Sequence, residues 1–339
     1  MENAARKNLA PVAVTMGCPA GIGPEIICRL FGRNETGGVG HSIVVGDIHV
    51  LRQAADRLGL AATIVPWQPG RSIDRGTIPV VQVGEPRSEP VCWGQPDAAT
   101  GRSMGQAIEE AVRLVSSGQC SAIVTCPISK KSLQAAGYPY PGHTEMLAAL
   151  TGTAKVRMMM AGPQLKVVLV TIHVPLRRVP DLLTRAEIVD CIQMTRTALE
   201  RDFALAAPRI AVAALNPHGG EGGLFGDEEL RIIGPAVAEF PSDTVSGPWP
   251  PDTVFHQAAA GRFDAVIAMY HDQGLIPFKL LHFQDGVNVT LGLPLVRTSV
   301  DHGTAYDIAG KNLADPSSLA AALTMAQTIV AHRRQGECP

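Results

Sequence analysis

The chain has 339 residues, 46% hydrophobic, 18% charged and only 4% aromatic, with a formal net charge of −2. That balance predicts a globular protein with a large buried fraction, long enough for two lobes. It excludes the basic footprint and the aromatic stacking platforms of a nucleic-acid binder. The segment MENAARKNLAPVAV lacks the long apolar core of a signal peptide, and no stretch reaches transmembrane length; a cytoplasmic protein without a membrane partner is expected. Seven cysteines (Cys18, Cys28, Cys92, Cys120, Cys126, Cys191, Cys338) form no CxxC pair and are odd in number. Reduced thiols are therefore expected rather than a disulfide framework.

In chain order, Val12–Thr15 reads as a buried strand, followed by the turn MGCPAGIGPE and a helical run Ile26–Phe31 with Pro24 at its first position. Ser42–Val45, Ala62–Val65 and Ile78–Val83 read as strands, with a helix over His49–Leu58. Gly101–Ser117 has helical apolar spacing at Ile108, Val112 and Val115, stops at Gly118 and feeds a strand at Ala122–Thr125. Leu165–Thr171 is a further strand. Thr184 and Glu187 form a capping-box signature before a helix striped by Ile188, Ile192 and Leu199. Arg209–Ala214 and Ala265–Ala268 are short strands running into the polar loops LNPHGGEGG and YHDQG, and Ser317–His332 is a closing helix. Such alternation predicts an α/β protein with a mostly parallel sheet, its ligands bound at the carboxyl ends of strands.

Three histidines follow or end apolar strands: His173 in VLVTIHVP, His218 in ALNPHGG and His271 in AMYHDQG. Their long separations match no local ligand spacing. Three imidazoles at equivalent strand ends nevertheless suit a divalent metal with open positions for substrate. In GHTEML, His143 and Thr144 either cap the helix that starts there or present a ring nitrogen and a hydroxyl to a ligand at its positive end. Lys279, Asn288 and Arg297 recur at nine-residue intervals in the polar, glycine-rich stretch from Met269 to Gly310. Two cations and an amide suit a small phosphate- or carboxylate-bearing substrate. GCPAGIGPE lacks the P-loop lysine and the GxGxxG spacing, so it predicts a tight turn rather than a Rossmann site. DHGTAYDIAG resembles the adenine-binding loop of isopropylmalate and isocitrate dehydrogenases, which bind a nicotinamide cofactor without a Rossmann fold. There Gly303 and Ala305 would let backbone approach the nucleotide, and His302, Thr304 and Asp307 would supply polar contacts.

Taken together, PAGIGPE, TCPISK, PGHTE, LNPHGGEGG, YHDQG, VNVTLGLP and TSVDHGTA closely resemble the PdxA family of pyridoxal phosphate biosynthesis, over nearly the whole chain. The resemblance implies a single catalytic unit over 1–335, a two-lobed α/β/α subunit of the isocitrate/isopropylmalate dehydrogenase type. Its approximate lobes are 1–135 with 305–335, and 136–304. It implies a homodimer with its cleft at the interface. His173, His218 and His271 would hold a divalent metal (Zn, Mg or Co) with ligands from both subunits. His143, Thr144, Lys279, Asn288 and Arg297 would contact the phosphorylated substrate. The implied reaction is NAD- or NADP-dependent oxidation of 4-phosphooxy-L-threonine at C3, then loss of CO₂ to give 3-amino-2-oxopropyl phosphate. Asp272 is the nominee for proton acceptor, with orientation of His271 as its other role. Relatives that oxidise 4-phospho-D-threonate, 4-phospho-D-erythronate or dihydrodiol dicarboxylates are the alternatives, and acyl or phosphoryl transfer is a remote one. Two departures stand out. Cys18 replaces a common acidic residue, read here as a neutral support of the turn, and Asn312-Leu313 replaces a glycine-containing pair, read as a change of loop geometry.

Overall fold

The computed structural model describes residues 10–32, 39, 41–60, 62–74 and 76–337; the expectations for the first nine residues and for Cys338 lie outside them. Twelve strands occur among the described residues: β1 (Val12–Thr15), β2 (Ser42–Gly46), β3 (Thr63–Pro66), β4 (Thr77–Gln82), β5 (Ala122–Thr125), β6 (Arg157–Ala161), β7 (Lys166–Leu169), β8 (Ile210–Ala213), β9 (Val245–Trp249), β10 (Ala265–Ala268), β11 (Val287–Leu291) and β12 (Arg297–Val300). The fold is α/β with mostly parallel strands, as the alternating pattern predicts. Backbone contacts divide the chain into two compact units, Met1–Lys155 with Leu293–Val330, and Val156–Gly292 with Ala331–Pro339.

In the first unit the strands run in the order β3-β4-β2-β1-β5-β12, all parallel. VAVT, SIVVG and AIVT are buried at every position, which a strand covered on both faces requires. Side chains that satisfy orphan amides start the helices between them. Asp47 accepts from His49 N and Val50 N to open Ile48–Leu58, which ends at left-handed Gly59. Asp97 and Thr100 form a reciprocal capping box for Ala98–Ser116. The helix Gly23–Gly32 starts one residue before Pro24, which sits second in its first turn rather than at its first position.

The second unit has the order β11-β6-β7-β10-β8-β9. β6 is antiparallel to both β11 and β7, while β7, β10, β8 and β9 run parallel. Its core gathers Val167, Leu169, Ala211, Val266 and Ala268 from the strands against Val254, Phe255, Leu275 and Phe278 from the helices Pro251–Ala259 and His271–Leu281. The segment from His271, read from sequence as a polar loop at its start, is thus a helix bearing Lys279. Thr184 caps the helix Arg185–Arg201 by accepting from Glu187 N, while the Glu187 carboxylate pairs with Arg157 on β6. No helix of the described residues is long and apolar enough to cross a membrane.

Candidate active site

In the first unit three loops meet at the carboxyl ends of β1, β5 and β12. Cys18 N donates to Pro127 O (2.8 Å), and Ile22 N donates to Thr304 O (3.1 Å). Residues 301–310 are held from behind. The buried Glu25 carboxylate accepts from Gly310 N (3.1 Å) and Ala314 N (3.0 Å), and Arg57 Nε donates to Gly310 O (2.6 Å). Glu25 is therefore the brace of the proposed nucleotide loop. His302 Nδ1 lies 3.0 Å from Gly303 O, and its Nε2 is buried without a protein partner. With the Nδ1 proton donated to that carbonyl, Nε2 is an acceptor turned inward. Gly303 and Asp307 are exposed, Thr304 is half-buried, and Ala305 is left-handed at φ 41°.

Cys18 is fully enclosed, and the Tyr306 hydroxyl donates to its Sγ at 3.3 Å. Burial raises the thiol pKa, and burial, with the Cys18 contact adding to it, pushes the Tyr306 phenol up to about 12. A neutral thiol here joins the first loop to the 301–310 loop, in keeping with a turn-supporting role. Asn312 takes a left-handed φ of 63° and accepts from Arg29 through both its backbone and side-chain oxygens. Asparagine is among the few L-residues that enter this region readily, which explains how it replaces glycine.

The cationic end of this unit is built on β12. Arg297 is 3% exposed, and its Nη2 donates to Thr125 Oγ1 on β5 at 2.7 Å. Burial lowers its pKa to about 10, so it remains a cation. His143 is the first residue of the helix His143–Leu150, whose cap position is Gly142 without any side-chain cap bond. Neither His143 nor Thr144 caps the helix. His143 Nε2 is buried without a protein partner. Its pKa lies well below the usual histidine value, first through burial and then through the charges of Arg297 and Lys130. Lys130, in TCPISK, received no role from sequence. The available signal was its place just after β5.

In the second unit the three histidine-bearing loops also leave parallel strands at their carboxyl ends. Gln273 ties those ends together: its Oε1 accepts from Met269 N and its Nε2 donates to Ala214 O, both at 2.7 Å. The Thr171 hydroxyl donates to Met269 O at 2.7 Å, adding the end of β7. A Cβ on Gly274 would meet Val167 Cγ1 at 2.5 Å, so glycine alone lets this helix lie so close to the sheet. HDQG is thus explained largely by packing. The rings of His173 and His271 lie 5.6 Å apart between centroids. His271 Nδ1 is 2.7 Å from Asp272 Oδ1. In a neutral ring that contact places the proton on Nδ1, in keeping with the orienting role for Asp272. Among the described residues, no group of three or more His, Cys, Asp or Glu side chains comes together to hold a metal ion. His218 therefore does not join the His173–His271 pair within one chain. Lys279 lies on the same helix as His271, about 12 Å further along its axis, beyond Pro277. Asn288 on β11 has a buried Oδ1 without a protein partner.

A profile described as "Pyridoxal phosphate biosynthetic protein PdxA" matches residues 39–326. A 4-hydroxythreonine-4-phosphate dehydrogenase from Desulfosudis oleivorans is 54% identical over 320 residues, covering 93% of this chain and 94% of its own. The crystal structure of a Klebsiella pneumoniae 4-hydroxythreonine-4-phosphate dehydrogenase superposes with a TM-score of 0.86 at 43% identity, covering 95% of this chain and 98% of that one. A terephthalate 1,2-cis-dihydrodiol dehydrogenase from Burkholderia xenovorans is more distant, at a TM-score of 0.64 and 30% identity, covering 94% and 99%. The chain belongs to the PdxA family, and it is an oxidoreductase.

Proposed function

We propose that this protein is a 4-hydroxythreonine-4-phosphate dehydrogenase of pyridoxal phosphate biosynthesis. The single observation that carries this reading is 54% identity over nearly the full length to a protein of that name, against 30% to the dihydrodiol dehydrogenase. The substrate alcohol at C3 gives its hydride to NAD or NADP and its hydroxyl proton to a base. The resulting β-keto acid then releases CO₂ and takes up a proton, leaving 3-amino-2-oxopropyl phosphate.

The donor set fits a divalent ion. His173 and His271 are neighbouring imidazoles, and the Asp272 contact sets the proton of a neutral His271 ring on Nδ1, so that Nε2 would be the ligating atom. The third ligand is His218, contributed by a second copy of the chain. Large exposed apolar side chains support a dimer: Leu224 is 75% and Phe225 50% exposed beside the His218 loop, Leu280 is 82% exposed in the last turn of the His271 helix, and Phe283 is 78% exposed just after it. A bound divalent ion supplies Lewis-acid polarisation of the C3 oxygen, which eases proton loss and stabilises the charge left when CO₂ departs. Anion-binding roles fall to Lys279 and Asn288 within the second unit and, separately, to His143, Thr144 and Arg297 within the first. Because His143 is held neutral, it can accept or donate a hydrogen bond without repelling the neighbouring cations. His302, Gly303, Thr304, Ala305 and Asp307 receive the nucleotide. Six described cysteines are free, five of them buried, which supports a reducing, cytoplasmic setting.

The test is initial-rate formation of NADH or NADPH by purified protein with a divalent metal. 4-Phosphooxy-L-threonine, 4-phospho-D-threonate, 4-phospho-D-erythronate and a dihydrodiol dicarboxylate are compared. The expected result is a kcat/KM for the amino acid well above the others. Turnover of the threonate without turnover of the amino acid overturns the assignment.

A further inference from the structure

The His218 loop has a backbone that its glycines favour but its other residues do not. His218, Gly219, Gly220, Glu221 and Gly222 all have positive φ, from 45° to 79°. Five consecutive left-handed residues make a left-handed turn, and two of them, His218 (φ 53°) and Glu221 (φ 45°), carry a Cβ that meets steric resistance there. Such a turn persists only where its surroundings over-determine it.

Main-chain bonds close the turn, Gly219 N donating to Asn216 O (3.2 Å) and Phe225 N to Gly220 O (3.1 Å), and one side chain ties down its entry. Glu229, in the turn Glu229–Ile233, is 4% exposed. Its Oε1 accepts from Leu215 N and Asn216 N, both at 2.8 Å, and its Oε2 accepts from Asn216 Nδ2 at 2.9 Å. Asn216 Nδ2 also donates to Glu228 Oε2 at 2.6 Å. The far side of the loop is equally close, since a Cβ on Gly220 would lie 2.6 Å from Glu229 Oε2. Among the described residues Glu229 has no ion-pair partner; its buried charge is met by amide donors of the very loop that presents His218. A buried carboxylate costs desolvation, and packing alone would be served better by an apolar residue.

We infer that Glu229 is a positioning residue, which holds the left-handed turn so that His218 reaches the metal; this rests on the metal assignment of His218 made above. The sequence reading of the metal ligands did not reach Glu229, because it lies eleven residues beyond His218.

The experiment measures Zn²⁺ and Co²⁺ affinity of the whole protein by competition with a chromophoric chelator, with far-ultraviolet circular dichroism as the folding control. His218→Ala should weaken binding by about 10–100-fold, and Glu229→Ala by a similar factor, as for residues that orient a metal ligand. The double variant should bind no more weakly than His218→Ala alone, because Glu229 acts through His218. A folded Glu229→Ala with unchanged affinity, or losses that multiply in the double variant, overturns the inference. Should Glu229→Ala fail to fold, Glu229→Gln decides. It keeps the volume but sets an NH₂ group against Asn216 Nδ2, so affinity should fall, and an unchanged value overturns the inference. If His218→Ala binds metal like the wild type, the metal assignment itself fails, and the role of Glu229 with it.

Discussion

Replacing Gln273 by Ala isolates the link that aligns the ends of β8 and β10 without touching a proposed ligand. The side chain is 8% exposed and makes two 2.7 Å hydrogen bonds to backbone groups of fully buried residues, Met269 N and Ala214 O. Alanine leaves one donor and one acceptor unsatisfied, at about 1–3 kcal/mol each. The destabilisation should therefore be about 2–6 kcal/mol, the lower end holding if a water enters the polar gap. Urea unfolding followed by circular dichroism reads this as a lower midpoint at unchanged slope. Gln273→Glu sharpens the test. It preserves the acceptor for Met269 N but turns a charged oxygen toward Ala214 O, so it should be as damaging at neutral pH and recover on acidification, as the carboxyl protonates and donates. A loss below about 1 kcal/mol for Gln273→Ala, or a Gln273→Glu variant indifferent to pH, would refute the claim that this glutamine joins the strand ends.

Arg297→Met should cost about 2–5 kcal/mol of substrate binding, read as a rise in KM of about 30-fold or more, and Arg297→Lys should recover little because a lysine cannot make the forked contact. His143 has a depressed pKa in the folded protein, so below the ordinary histidine value near 6.5 the unfolded chain binds a proton that the folded one refuses. Wild-type stability should fall as pH drops through that range, and His143→Asn should lose part of this slope; equal slopes in urea titrations would contradict the buried, neutral histidine. Mixing inactive His173→Ala and His218→Ala proteins under subunit exchange should restore up to about a quarter of wild-type activity, because half of each mixed dimer carries an intact ligand set; no recovery would place the three ligands in one chain. Cys18→Ala should keep kcat within a few-fold, with a modest loss of stability from the lost Tyr306 contact, whereas abolished turnover would give the thiol a direct part in the chemistry.

Much of the architecture could be read from local chemistry. The all-buried strands VAVT, SIVVG and AIVT, and the caps at Asp97 and Thr184, lie in short, self-consistent segments. What escaped was set by distant partners. RMMMA on β6 has no strand alternation and is a strand because β7 and β11 pair with it on either side. VSGPW on β9 contains a Gly-Pro pair that normally breaks strands. His271–Leu281 contains Gly274 and Pro277, both poor helix formers, yet it is a helix because Gly274 allows close packing on β7 and β10. At the candidate site, side chains of recognisable chemistry, such as the histidines, Lys279 and Arg297, were visible as proposals. Their supports were not: Glu25, Arg57, Gln273 and Glu229 act through backbone groups far away in sequence, and such contacts leave no local pattern.

The most direct measurement of the central claim is simultaneous quantification of reduced nicotinamide and CO₂ from 4-phosphooxy-L-threonine, with metal-loaded and chelator-treated protein in parallel. The expected result is one CO₂ per NADH or NADPH, formed by the loaded enzyme and lost on chelation. Loaded protein that forms no reduced cofactor, or turnover that survives complete metal removal, would contradict it.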